Sequence, residues 1–241
     1  MEHFPILILI GRPASGKSEI IDYLAHADPA KRSRRFRVGK PDVLDDFPML
    51  WTWFEEDHIL SRVLGKPRLY TDEQGYFLHR HLWHLLIQRL DLDYHKRLRD
   101  DPDYHNHTTA IIEFSRGSEH GGYTAAFQHL SDDVLSRAAI VYVRVSFDDS
   151  LRKNRRRFNP NKPDSILEHS LPDEKLERLY RLDDWEELTH ADPEYLTIRA
   201  QRVPYAVFDN SDDVTTNKLQ QLATRLEAVL YGLWAQRTQV V

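Results

Sequence analysis

The sequence predicts an α/β protein in which a five-stranded parallel sheet lies between two layers of helices. Three observations point there: short runs rich in Ile, Val and Leu recur along the chain, amphipathic helical periods separate them, and a glycine-bounded loop joins the first run to the first helix. A parallel strand covered on both faces reads as a continuous apolar run rather than an alternation, and these runs have that form.

In chain order, Ile6–Ile10 is the first strand, and SEIIDYLAHA from Ser18 is the helix that follows it. Phe36–Val38 is the weakest candidate and is expected as a further strand. Leu78, Leu82, Leu85, Leu86 and Leu90 share one face of a helix. Ala110–Phe114 (AIIEF), Ala139–Val145 (AIVYVRV) and Val203–Phe208 (VPYAVF) complete the strands, and Leu219, Leu222, Leu226, Val229, Leu230 and Leu233 give the last helix its apolar face. The stretch from Asn159 to Pro172, with three prolines, two asparagines and little apolar periodicity, is expected as a loop between helices.

A chain of 241 residues can bury one substantial core, so a single domain over residues 1–241 is expected. Hydrophobic residues at 41% and charged residues at 29% suit a soluble globular protein. The formal net charge of −5 gives no global pull toward nucleic acid or acidic lipid. The absence of cysteine excludes disulfides and thiolate zinc sites and fits a cytoplasmic protein. The apolar run Phe4–Ile10 has Glu2 rather than a basic flank and no small-residue cleavage site, so it reads as neither signal peptide nor membrane span.

The most specific signal is Gly11-Arg12-Pro13-Ala14-Ser15-Gly16-Lys17-Ser18, which fits G-x-x-x-x-G-K-[ST] at every fixed position, with Glu19 next inside the helix. A loop that turns its backbone N–H groups inward, ahead of the positive end of a helix, cradles phosphate oxygens. Lys17 then neutralises the β and γ phosphates and Ser18 offers its hydroxyl to Mg²⁺, which makes this a P-loop fold that binds a nucleoside triphosphate. Two further patterns, Asp72-Glu73-Gln74-Gly75 and Asn161-Lys162-Pro163-Asp164, match GTPase elements in letters only. The first follows GKPRLYT rather than a buried strand, and the second is separated from AIVYVRV by DDSLRKNRRRF, so neither is expected to act in a GTPase, and Asn161–Asp164 is expected as a loop tip.

Beyond the phosphate loop, IVYVRVSFDDSLRKNRRR and VPYAVFDNSDD complete a resemblance to the P-loop kinases of the nucleoside and nucleotide group, the adenylate-kinase-like small-molecule kinases. It implies an ATP- and Mg²⁺-dependent phosphotransferase, a helix bearing arginines, and a mobile lid, here about residues 158–175. Independently of that likeness, Ser146 and Asp149 form a capping-box pattern, so a helix should start there and carry Arg152, Lys153, Arg155, Arg156 and Arg157. Arg152 and Arg156 share a face and are expected to clamp the transferring phosphoryl group; a solvated basic face is the alternative.

Glu113 ends the run AIIEF and so sits at the carboxyl edge of the sheet, where doubly wound folds collect ligands. It is expected to bind Mg²⁺ through water or to orient the acceptor, with Arg116 touching acceptor or phosphates; the alternative is a structural pair between the two. The resemblance places the acceptor base at the end of the second strand, which favours Asp42, with Asp45 and Asp46 as competitors and a helix cap or solvated acid as the plain alternative. His79, His81, His84, His105 and His107 have no acidic or cysteine framework that would fix a metal. Trp51, Trp53 and Phe54 either line an acceptor pocket or, more in keeping with their apolar bulk, pack a helix into the core. The reading is therefore a small-molecule kinase with ATP and a nucleoside- or nucleotide-like acceptor as partners. Its rivals are a polynucleotide-end or protein-directed kinase and a non-kinase nucleotide-binding regulator or NTPase. Nucleic acid is not favoured, because no aromatic residues interleave with the basic run.

Overall fold

The computed structural model describes residues 2–157, 171–216 and 218–240, without the side chains of Arg157 and Val240. The chain runs β1 (Ile6–Gly11), α1 (Lys17–His26), α2 (Pro29–Lys31), β2 (Lys40–Asp45), α3 (Phe47–His58), α4 (His81–Asp100), α5 (Tyr104–His107) and β3 (Thr108–Phe114). It continues with α6 (Gly122–Gln128), α7 (Asp132–Arg137), β4 (Ala138–Arg144), α8 (Phe147–Arg157), α9 (Asp173–Tyr180), α10 (Trp185–Thr189), β5 (Tyr195–Ile198), β6 (Gln201–Asp209) and α11 (Leu219–Val240). Among the described residues no helix is long and apolar enough to cross a membrane.

The sheet has six strands in the order β2-β3-β1-β4-β6-β5, rather than the expected five. Five are parallel. The sixth, β5, pairs antiparallel with β6 through a tight hairpin in which Ile198 faces Gln201 and Arg199 takes a left-handed φ of 53°. Every residue of β1 and β3 is buried, as doubly covered parallel strands require. Alternation along β1 divides the core: Ile6, Ile8 and Ile10 pack with Ile87, Tyr94, Phe127 and Trp185 on one face, whereas Leu7 and Leu9 pack with Ile20, Leu24, Leu226 and Leu230 on the other.

Three expectations need correction. The second strand is Lys40–Asp45, not Phe36–Val38. Phe36 instead closes a π-helical turn, and Arg37 at φ 54° sends the chain in a new direction before the strand begins. Pro41 is tolerated because β2 is a sheet edge, where a missing N–H leaves no ladder partner unpaired. On α4 the apolar face is Leu82, Trp83, Leu86, Ile87, Leu90 and Tyr94; Leu78 precedes the helix and Leu85 points to solvent. Leu219, at the first position of α11, is likewise exposed.

The segment between α3 and α4 is held by one side chain. Asp57, fully buried, accepts hydrogen bonds from the N–H groups of Leu69 (2.6 Å) and Thr71 (2.6 Å) and from the Thr71 hydroxyl (2.7 Å). Burial alone would raise its pKa, but these donors outweigh it and hold the carboxyl below its usual range. Trp53 stacks on Tyr70 at 5.0 Å in the small core beside this segment. Asp72–Gly75 is a turn here, closed by the Gly75 N–H to the Asp72 carbonyl, and does not end a buried strand. Of the expected lid, residues 158–170, including Asn161–Asp164, lie outside the described residues, and Asp173–Lys175 form the first turn of α9.

Candidate functional site

The loop from Gly11 to Ser18 joins β1 to α1 at the carboxyl edge of the sheet. Two of its positions admit only glycine. A Cβ on Gly11 would lie 2.5 Å from the Val143 carbonyl oxygen, and one on Gly16, at φ 110°, would lie 2.6 Å from Asn210 Nδ2. Ala14 is left-handed at φ 55°, a costly conformation that persists because its neighbours are fixed. Asn210, fully buried in the turn after β6, donates to the Ser15 carbonyl and to Thr215 Oγ1, both at 2.8 Å. The Ser150 hydroxyl of α8 donates to the Pro13 carbonyl at 2.7 Å.

Within this frame Lys17 is buried, its Nζ 2.9 Å from Ser115 Oγ, 3.2 Å from the Arg12 carbonyl and 3.8 Å from Glu113 Oε1. Ser18 is exposed at the start of α1. The Arg12 side chain does not turn toward the loop interior. It pairs with Asp183 at 2.9 Å and donates to the carbonyls of Val145, Tyr180 and Arg181, clasping the loop to the segment after α9.

A cavity of about 1050 Å³ opens from the loop across the sheet edge. Pro13 through Ser15, Lys17, Ser18 and Glu19 form one end. Asp45, Asp46, Glu113 and Arg116 line its floor, and Trp51, Phe54, Tyr76, Phe77 and Tyr180 line the other walls. Asp45 and Glu113 are register partners on β2 and β3. Burial, then the charges of Glu113 and Asp46, push the Asp45 carboxyl up to about 7, against the Phe47 N–H and Lys17, which favour its ionised form. Asp46 and Arg116 form a buried ion pair at 2.7 Å. Arg116, only 3% exposed, also donates to the Ser115 and Trp83 carbonyls and lies over the Trp83 ring, so it is fixed in place.

The structure does not bring Asp42 to this site. It accepts from Arg97 Nε at 2.6 Å and from the Tyr104 hydroxyl at 2.8 Å. Asp42 lies three positions before Asp45, about 10 Å of strand at the usual rise, and an odd step reverses the face. Arg152 and Arg156 also lie off the cavity. Arg152 pairs with Asp149 at 2.6 Å, and Arg156 stands 4.0 Å from Asp213 on the outer face of α8. The Ser146 hydroxyl does cap this helix, accepting from the Asp149 N–H at 3.0 Å. Its inward face carries Ser150, Lys153, which pairs with Asp213 at 2.7 Å, and Asn154, which exchanges two hydrogen bonds with the Leu171 backbone. Of the aromatic trio, Trp51 and Phe54 line the cavity and Trp53 belongs to the small core.

Among the lining residues that sequence reasoning missed are the cationic or titratable Arg80, His120, Lys175 and Arg178. Nothing in their spacing marks them, since they come from three separate elements. His120 is buried against Trp83 with ring centroids 3.8 Å apart; burial, then Arg116 and Arg80, push its pKa down to about 2, so it is neutral. Among the described residues no three His, Cys, Asp or Glu side chains converge as a metal cage.

No family model matches the chain, and no curated protein matches it. Among solved structures it is similar to an unliganded sugar kinase from Janibacter sp. HTCC2649, at 14% identity over 95% of each chain with a TM-score of 0.44. It is also similar to shikimate kinase from Acinetobacter baumannii in complex with shikimate, at 14% identity over 96% of this chain and 95% of that one, with a TM-score of 0.44.

Proposed function

We propose that the protein is an ATP- and Mg²⁺-dependent phosphotransferase acting on a small molecule, the nucleosides and nucleotides being the class that its sequence resemblance implies. The observation that carries this reading is the continuity of the phosphate loop with a single large cavity whose floor holds the Asp45–Glu113 pair. A nucleotide-binding regulator without an acceptor would have no need of that second compartment.

The backbone of Gly11 to Ser18 and the start of α1 would bind the triphosphate, with Lys17 leaving the loop carbonyls for the β and γ oxygens. Asp45, poised near neutral pH, is suited to take the proton from an acceptor hydroxyl as it attacks. Glu113 stands on the Lys17 side of Asp45 and orients the reacting end. Crowded carboxylates that line the same cavity as an exposed serine hydroxyl fit a divalent cation that arrives with the nucleotide and keeps phosphate and water ligands. Ser18 directly, and Glu113 through water, would hold it; the ion would supply charge neutralisation at the phosphates. Arg116 acts through Asp46, fixing the start of α3 beside the pair.

The test is ADP formation from ATP in the presence of Mg²⁺ and a panel of hydroxylated and phosphorylated small molecules. Acceptor-stimulated ADP release supports the reading. Tight ATP binding with no stimulation by any acceptor class would favour the regulator or NTPase instead.

A further inference from the structure

Five cationic side chains line the cavity, and three of them face a carboxylate. Lys17 stands 3.8 Å from Glu113, Arg116 pairs with Asp46, and Arg178 forks onto Glu119 at 2.8 to 3.1 Å. Arg80 and Lys175 have no carboxylate within ion-pair distance among the described residues. Lys175 Nζ donates only to the Gly75 carbonyl, at 3.2 Å, and lies 5.2 Å from the centroid of the Tyr76 ring, whose face also carries the Arg178 guanidinium at 4.1 Å. Half-burial, with Arg68 nearby, lowers the Lys175 pKa, and the more distant Asp72 offsets this only in part. Arg80 precedes the first turn of the twenty-residue α4, whose N-terminus adds to the positive field. Gly121 gives it room, since a Cβ there would lie 2.5 Å from Arg80 Nη2.

These cations stand among Tyr76, Phe77 and Trp83, on elements other than the phosphate loop. We propose that the phosphoryl acceptor is itself an oxyanion, whose carboxylate or phosphate group is held by Arg80 and Lys175 while its apolar or planar body lies along Tyr76, Phe77 and Phe54. The inference rests on the kinase reading for the word acceptor, but the anion site stands on the unmatched cations. Arg178, already paired with Glu119 and stacked on Tyr76, closes the edge of the site. Neutral His120 beside Arg80 offers no competing charge.

The experiment is calorimetric binding in the presence of a non-hydrolysable ATP analogue and Mg²⁺. The probes are matched pairs: sugar acids with their parent sugars, hydroxyaryl carboxylates with their amides, and nucleoside monophosphates with their nucleosides. The expected result is that at least one anionic member binds and its neutral partner does not. Arg80→Gln and Lys175→Gln should each weaken that binding by about tenfold or more, the loss of a charge-assisted contact, while affinity for the ATP analogue stays within about twofold. Which pair responds tells carboxylate from phosphate. Equal binding of a neutral member, anion binding indifferent to both substitutions, or no anion binding at all overturns the proposal. Phosphoryl transfer is scored separately. Transfer to a neutral acceptor alone sinks the anion site and leaves the kinase reading standing, whereas Arg80-dependent anion binding without transfer from ATP supports the site and sinks the kinase reading.

Discussion

Asp45 and Glu113 stand opposite each other on neighbouring parallel strands, and burial, followed by repulsion from Glu113 and the adjacent Asp46, lifts the Asp45 carboxyl to about 7. The sheet register alone brings them together.

Activity should therefore rise with pH as Asp45 deprotonates, with an apparent pKa near 7 for the pair in kcat/KM. Asp45→Asn should lower kcat by about 10²- to 10⁴-fold, the usual contribution of a general base, and remove that limb of the profile. A variant that keeps the wild-type pH profile assigns the base elsewhere.

The same group makes a prediction about stability that does not depend on activity. Its folded pKa lies above the ordinary carboxyl value of 3.8, so its favourable contribution is complete below about pH 4 and is lost as pH rises through about 7. At pH 8 Asp45→Asn should be more stable than the parent by on the order of 1–3 kcal/mol, and at pH 4 that advantage should vanish. Urea denaturation at the two pH values measures the difference.

Lys17→Ala should fold and lose affinity for ATP by several kcal/mol, on the scale of charge-assisted contacts to a multiply charged anion. Titration calorimetry of the folded variant checks this; unchanged affinity would remove Lys17 from phosphate binding.

Much of this architecture was legible in the chain. The Gly11–Ser18 loop is a fixed-spacing motif, and β1, β3, β4 and β6 are apolar runs because both their faces are covered. β2 was not legible: an edge strand needs less apolar sequence, and the left-handed Arg37 that delays it has no sequence mark. That Asp42 lies off the cavity was hidden for the same reason, because which aspartate meets Glu113 is a matter of register. The inward face of α8 eluded the sequence as well. The arginines draw the eye, but Ser150 holds the Gly11–Ser18 loop and Lys153 makes the closer pair with Asp213 in the turn after β6.

That face yields a comparison. Lys153→Met breaks a largely buried ion pair and should cost about 3–5 kcal/mol in stability, whereas the exposed Arg152→Gln should cost about 1 kcal/mol or less. Thermal unfolding of the two variants tests the assignment, and equal effects would mean that Lys153 does not anchor the helix.

Asn210→Ala should leave the Ser15 carbonyl without its donor, destabilise the fold by about 1–3 kcal/mol and weaken ATP binding, because the phosphate loop loses its brace. Asn210→Asp, which cannot donate, should behave alike. Nucleotide affinity unchanged in both variants would show that the turn after β6 is not needed to shape the loop.

The most direct test of the whole account is to follow the γ-phosphate of ATP by phosphorus NMR with the protein, Mg²⁺ and a panel of small acceptors. A phosphotransferase of this design predicts a new phosphoester or phosphoanhydride resonance on an acceptor, appearing with ADP and strongly suppressed in Asp45→Asn. If inorganic phosphate is the only product whatever the acceptor, or if Asp45→Asn transfers as fast as the parent, the account is contradicted.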